Sequence, residues 1–289
     1  MNDDANYLKK LDDYLTLKNY SLATKKSYRC ALKQFLQFSA GKNSGDFFPL
    51  ELAREYILHR YKAGLKWQTI NNDYSAISKF YRYVLNASWD VKMIPRPRKE
   101  RALPPILSFQ QVQSLIQSGR TFKHQVFMYL LYATGLRLSE ALGLKLEDID
   151  GQRLQIRVVK GKGAKDRYIL MPEPLLPILR AYYRAYRPRL FLFNGRIPGS
   201  QWATRSAQWA FIHARRKAGI HRKASPHVLR HCYATHHLEN GTNLVFLKEQ
   251  LGHKQLKTTA TYIHLCTEYQ KIVKHPVANM VPTFTSNML

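Results

Sequence analysis

Acidic side chains are scarce in this chain, and the shortage sets the first bound on its partners. Only 19 Asp and Glu stand against 46 Lys and Arg in 289 residues, a formal charge of +27, and the sequence pI is about 10.1. Such an excess points to a polyanion, because Lys and Arg gain affinity from a phosphate backbone by releasing its condensed counterions. An anionic membrane surface is the lesser reading. Cysteine is scarce too. Cys30, Cys232 and Cys266 are an odd number without metal-like spacing, which excludes a disulfide framework and suits reduced, mostly buried side chains. No apolar run approaches the ~20 residues that span a bilayer, and Met1-Asn2-Asp3-Asp4 lacks the basic-then-apolar order of a secretory signal. A cytoplasmic, nucleoid-associated protein without a membrane role is expected.

Apolar residues are plentiful, at 45%, and the length allows two domains with a core each. The first ninety-odd residues read as four helices. Tyr7, Leu8, Leu11, Tyr14 and Leu15 recur at helical spacing, as do Leu32, Phe35 and Leu36 after a cap at Ser21. Leu52, Tyr56 and Ile57 mark a third helix; Ile70, Tyr74, Ile77, Tyr81 and Val84 mark a fourth that starts near Trp67. The other face of the fourth carries Lys66, Asn71, Asn72, Lys79 and Arg82, which suits either phosphate contact or plain solvation.

Pro95, Pro97, Pro104 and Pro105 forbid a regular helix across a basic stretch containing Arg96, Arg98, Lys99 and Arg101. Residues 93–104 are therefore expected to link a first domain, 1–92, to a second, 105–289. The second domain holds most of the excess charge, with 27 basic and 9 acidic residues against 15 and 9 in the first. Its pattern is mostly helical, including an apolar core helix around Val126–Tyr132. Leu154, Ile156 and Val158 alternate with polar residues before a glycine loop and Tyr168–Met171, which reads as a hairpin with lysines at its tip. A helix near Trp202–Ala218 adds Arg205, Arg215, Arg216 and Lys217. The fold class expected is mostly α with a small antiparallel β-sheet.

Five short segments of this domain carry chemistry. Ala133-Thr134-Gly135-Leu136-Arg137 sets an arginine just past a glycine break, where a helix restarts. Lys162 sits between Gly161 and Gly163 at the hairpin tip, where glycine permits close backbone approach. His227 and Arg230 form an H-x-x-R element on one helical turn, His253 follows Leu251-Gly252, and Thr258–Tyr262 is expected to open a short helix. Breaking a phosphodiester with a side-chain nucleophile requires neutralising charge on two nonbridging oxygens and protonating the leaving oxygen. Arg137 and Arg230 suit the first task through paired, permanently charged donors. His227 titrates near neutrality and suits proton transfer or donation to phosphate; Tyr262 suits attack, and Lys162 the leaving oxygen. A zinc reading of His227 and His231, four residues apart, is weakened by the intervening Arg230 and by the lack of acidic or cysteine ligands at metal spacing.

Taken together, Arg137 in a T-G-x-R-x-x-E context, Lys162, His227 with Arg230, His253 after L-G, and Tyr262 nine residues later resemble the tyrosine site-specific recombinases, or phage-type integrases. The likeness is strong from about Pro105 to Thr267 and looser over the four-helix region. It implies two domains clamping double-stranded DNA in a C shape, and a 3′-phosphotyrosyl intermediate at Tyr262. It also implies strand exchange through a four-way junction by a homotetramer that is monomeric when free, with no metal or nucleotide cofactor. Cys232 stands where such proteins often carry serine. The tail after Tyr262, with helix to roughly Thr267–Lys274, is implied to dock on a neighbouring subunit. A compact integrase or resolvase of a mobile element, or a chromosome-dimer resolvase, fits better than a large phage integrase. A type IB topoisomerase and a nonenzymatic DNA binder are the alternatives.

Overall fold

The structure, a computed structural model, describes residues 3–42, 48–98, 104–159 and 166–266. The chain divides into two compact units, Met1–Ala102 and Leu103–Leu289. Lys162 and its loop, residues 99–103 of the expected linker, and the tail from Thr267 lie outside the described residues.

The first unit is built from α1 (Asp3–Leu17), α2 (Leu22–Ala40), α3 (Leu50–Lys62) and α4 (Trp67–Tyr83). Ser21 caps α2, its hydroxyl accepting from Thr24 N at 3.2 Å, so one otherwise orphaned amide is satisfied where the helix must begin. The faces predicted from spacing meet in one core rich in rings: Phe35, Tyr56, Phe80, Tyr81 and Trp89 are buried. Phe35 meets Tyr56 edge-on at 5.4 Å, and Tyr81 meets Trp89 edge-on at 5.4 Å, the arrangement that ring quadrupoles favour. The chain stays on this core past residue 92. Ile94 is 2% exposed, and Pro97 O accepts from Trp67 Nε1 at 3.1 Å. The first part of the expected linker is thus packed against the unit, because its apolar residues had a ring-lined surface to cover.

The second unit runs α5 (Phe109–Gln117), α6 (Phe122–Thr134), α7 (Leu138–Leu142), β1 (Ile149–Asp150), β2 (Gln155–Val158), β3 (Arg167–Leu170), α8 (Leu175–Tyr186), α9 (Thr204–Lys217), α10 (His227–Glu239), α11 (Leu244–Leu251) and α12 (Leu256–Ala260). The strands form one antiparallel sheet in the order β1-β2-β3, with Ile156 opposite Ile169 and both buried. Strand β1 was not expected, being only two residues long. Leu154, expected in a strand, instead turns the chain with φ at +50°. The short helix expected from Thr258 onward differs as well: α12 ends at Ala260, and Tyr262 leads into a 3-10 turn over Ile263–Leu265. Of the cysteines, Cys232 is buried but Cys30 is exposed, and all three are free.

Two helix ends position the site. Both α6 and α11 stop at glycines in the left-handed region, Gly135 (φ +62°) and Gly252 (φ +63°), where any other residue would be strained. Space also demands glycine. A Cβ on Gly135 would lie 2.5 Å from the Tyr233 ring, and one on Gly252 would lie 2.8 Å from the Arg167 guanidinium.

Candidate active site

Among the described residues Arg230 is the largest fully buried side chain, 1% exposed on α10. Its Nη1 donates to Gly135 O and its Nη2 to Leu251 O, each at 2.6 Å, so the carbonyls at the ends of α6 and α11 converge on one guanidinium. These are the negative ends of two helices. No carboxylate among the described residues pairs with Arg230, and burial together with the Arg137 charge brings its pKa down to about 10. A buried cation oriented by carbonyls, with its charge left unneutralised, is a site for an anion.

Arg137 is held differently. It sits at the restart of α7, its backbone N–H and its Nη1 both donating to Glu140, at 2.9 and 2.8 Å. The same carboxylate accepts two bonds of 3.0 Å from Arg167 at the start of β3. Burial alone would raise the Glu140 pKa, but the Arg167 and Arg137 hydrogen bonds outweigh it and bring the group down to about 2. One anion thus serves two cations, and the cluster stays net positive.

His253 follows the α11 cap. Arg230 Nη2 can only donate, so His253 Nε2, 3.0 Å away, is its acceptor. The ring proton must then be on Nδ1, which donates to the buried Thr259 hydroxyl at 2.9 Å. Burial and the Arg230 charge bring its pKa down to about 4, so the ring is neutral at pH 7.

Tyr262 is 5% exposed and stacks at 6.3 Å on His253. Its hydroxyl shares a 3.1 Å hydrogen bond with His231 Nδ1. Burial raises the phenol pKa, while the facing Arg230 and Arg137 charges work against that rise. His231 is brought down to about 4 by burial, His227 and Arg230. His227 opens α10 on the exposed side, its ring 4.7 Å from that of His231, with its pKa lowered by desolvation, Arg230 and Arg137. Among the described residues no group of three or more His, Cys, Asp or Glu is placed to hold a metal ion.

The structure therefore gathers Arg137, His227, Arg230, His253 and Tyr262 from α7, α10, the α11–α12 connection and the turn after α12. Glu140, Arg167, His231 and Thr259 complete the set without having been assigned roles from sequence. Glu140 had a local signal, a capping-box position three residues after Arg137. Arg167 had none, since its partner lies on a distant element.

The residues expected to contact phosphates differ in their surroundings. Lys66, Arg82, Arg205 and Arg216 are exposed. Asn72 Oδ1 instead accepts from Ser27, and Asn71 Oδ1 accepts from Arg96. Lys79 lies over the Tyr20 and Tyr28 rings. Arg215 donates to Arg222 O at 3.0 Å. These four are engaged within the protein, because polar groups on partly buried helix faces satisfy one another first. An open groove of about 650 Å³ on the first unit is lined by Lys26, Gln34, Arg60, Gln68 and Asn72, among others. No helix among the described residues is long and apolar enough to cross a membrane.

Comparison with known proteins places this geometry. The phage integrase family matches residues 105–268, and the SAM-like N-terminal domain of phage integrases matches residues 7–91. A putative integrase/recombinase of Sinorhizobium fredii is 36% identical over 264 residues, covering 89% of this chain and 84% of its own. The tyrosine recombinase XerA of Pyrococcus furiosus is 30% identical and covers 91% of each chain. A lambda integrase dimer solved on a core site shares the fold, with TM-score 0.73 at 16% identity over 89% of this chain and 94% of that one. This chain belongs to the phage integrase family of tyrosine recombinases.

Proposed function

We propose that this protein is a site-specific DNA recombinase that breaks and rejoins strands through a covalent bond to Tyr262. The observation that carries the reading is the buried Arg230, without a carboxylate partner among the described residues, beside Arg137 and the Tyr262 hydroxyl. A scissile phosphate would supply the missing anion. Arg137 and Arg230 would hold its nonbridging oxygens and His227 would donate to one of them, while His253, its Nε2 accepting from Arg230, would keep that guanidinium in place. Tyr262 would attack phosphorus to give a 3′-phosphotyrosyl bond, and Lys162 would protonate the departing 5′ oxygen. The bond energy stays in the ester, so rejoining needs neither metal nor nucleotide.

Further parts of the reading follow from the same family likeness. Four copies on two DNA sites exchange strands through a four-way junction. Exposed Lys66, Arg82, Arg205 and Arg216 add sequence-independent affinity through phosphates. A location at the nucleoid agrees with the charge of +27.

The test is covalent capture. Nicked duplexes from a randomised library, incubated with the protein in EDTA, should give an SDS-resistant adduct that maps to Tyr262, and Tyr262→Phe should bind the recovered DNA without forming it. An adduct on another residue, or one lost in EDTA, would sink the reading.

A further inference from the structure

The mechanism above leaves one proton unassigned. Tyr262 must lose its hydroxyl proton as the new P–O bond forms, and at pH 7 a buried phenol keeps it. Of the site's nitrogens, the guanidiniums are cations and cannot accept. His253 spends its Nε2 on Arg230 and its Nδ1 proton on Thr259, so it has no vacant acceptor facing the phenol. His227 is exposed at the start of α10, and the nitrogen able to accept that is hydrogen-bonded to the phenol is His231 Nδ1, at 3.1 Å.

The direction of that bond follows from its surroundings. Arg230 faces the phenol oxygen and can only donate. The phenol hydrogen is therefore turned away from Arg230, and the acceptor on the other side is Nδ1 of a neutral imidazole whose proton sits on Nε2. We propose that His231, one residue after the family's second arginine, is a catalytic residue of this protein that accepts the Tyr262 proton during attack. This rests on the recombinase reading above and names the base for the same site.

The step balances. The Tyr262 O–H bond breaks and its proton passes to His231 Nδ1; the phenolic oxygen forms the bond to phosphorus; the P–O5′ bond breaks, and the departing oxygen takes a proton from Lys162. Rejoining runs the transfers backward, so His231 returns the proton to Tyr262. The groups facing this pair are His227 and Arg230 on α10, Arg137 on α7, and His253 from the connection after α11. Burial, His227 and Arg230 keep the resting imidazole unprotonated, and an incoming phosphate beside Arg230 would cancel that guanidinium's share of the effect. Its proton affinity then rises in the bound state, when a base is needed.

The experiment measures the rate of adduct formation on the captured nicked DNA from pH 6 to 9. Wild type, His231→Ala and His231→Asn are compared, with DNA affinity measured alongside. Asparagine fills similar space and offers an oxygen near the Nδ1 position but cannot take up the proton, so the test rests on it if alanine fails to fold. Wild-type rate should vary little with pH. Both variants should bind DNA normally and cleave on the order of 10²-fold more slowly at pH 7, the usual contribution of a positioned base. Their rates should climb about tenfold per pH unit, as hydroxide replaces the missing acceptor. Variants slowed by the same factor at every pH, or an asparagine variant at wild-type rate, would overturn the proposal alone. A wild-type protein with no adduct at Tyr262 would overturn the recombinase reading and this step with it.

Discussion

The two units solve opposite problems. In the first, buried charge is neutralised: Asp73, 2% exposed, pairs with Arg60 at 2.8 Å, and the rest of the core is rings and aliphatics. In the second, the largest fully buried side chain among the described residues is a cation with no carboxylate partner among them, oriented by carbonyls and a histidine. The first arrangement leaves a core whose charge is paired. The second leaves an electrostatic deficit that an anion would relieve, and under the proposed function that anion is the scissile phosphate.

Three changes would break or sharpen that contrast. The largest falls in the first unit. Phe80→Ala removes a fully buried ring that meets Tyr7, Phe48 and Tyr81 and should cost about 3 to 5 kcal/mol. Hydrogen exchange should show amides of α4 losing protection while those of α6 and α10 keep theirs. Equal loss in both would mean the two cores are not separable.

Next is Arg230→Ala, which should slow adduct formation by about 10² to 10³-fold, or ~3 to 4 kcal/mol, the range for loss of one oxyanion donor. A near-normal single-turnover rate would remove Arg230 from the anion site. The smallest effect concerns Glu140, whose folded pKa of about 2 lies below its ordinary 4.5. Its stabilisation is present above pH 4.5 and lost as pH falls toward 2. Wild type should therefore lose roughly 3 kcal/mol more than Glu140→Gln across that window, at about 1.4 kcal/mol per unit. Parallel denaturant midpoints for the two proteins between pH 5 and 2 would show that the carboxylate does not stabilise the cluster.

The contrast also explains what the sequence made legible. The helices of the first unit could be read because Ile70, Tyr74, Ile77 and Tyr81 repeat at a local period and bury together. Of the candidate site, the residues the structure gathers could be named from motif spacing, since Arg137, His227, Arg230, His253 and Tyr262 each sit at a helix end or first turn with a recognisable neighbour. Their supports could not. Arg167 meets Glu140 across 27 residues of chain, and His231 reaches Tyr262 across 31. Pairings like these come from tertiary packing and leave no periodic trace. The internal pairings of the expected phosphate contacts have the same origin: Asn72 was read from its own helix, but its partner Ser27 lies on another.

The carbonyl seat of Arg230 has a wider consequence. Its two walls are helix ends whose position is fixed by a glycine and by the ring or guanidinium packed against it. Shifting either helix by a fraction of an ångström would reset the strength of the anion site without replacing any reacting group. The enzyme therefore carries a tuning screw in its scaffold, one through which drift in ordinary packing residues can adjust how readily a strand is cut while the chemistry itself stays constant.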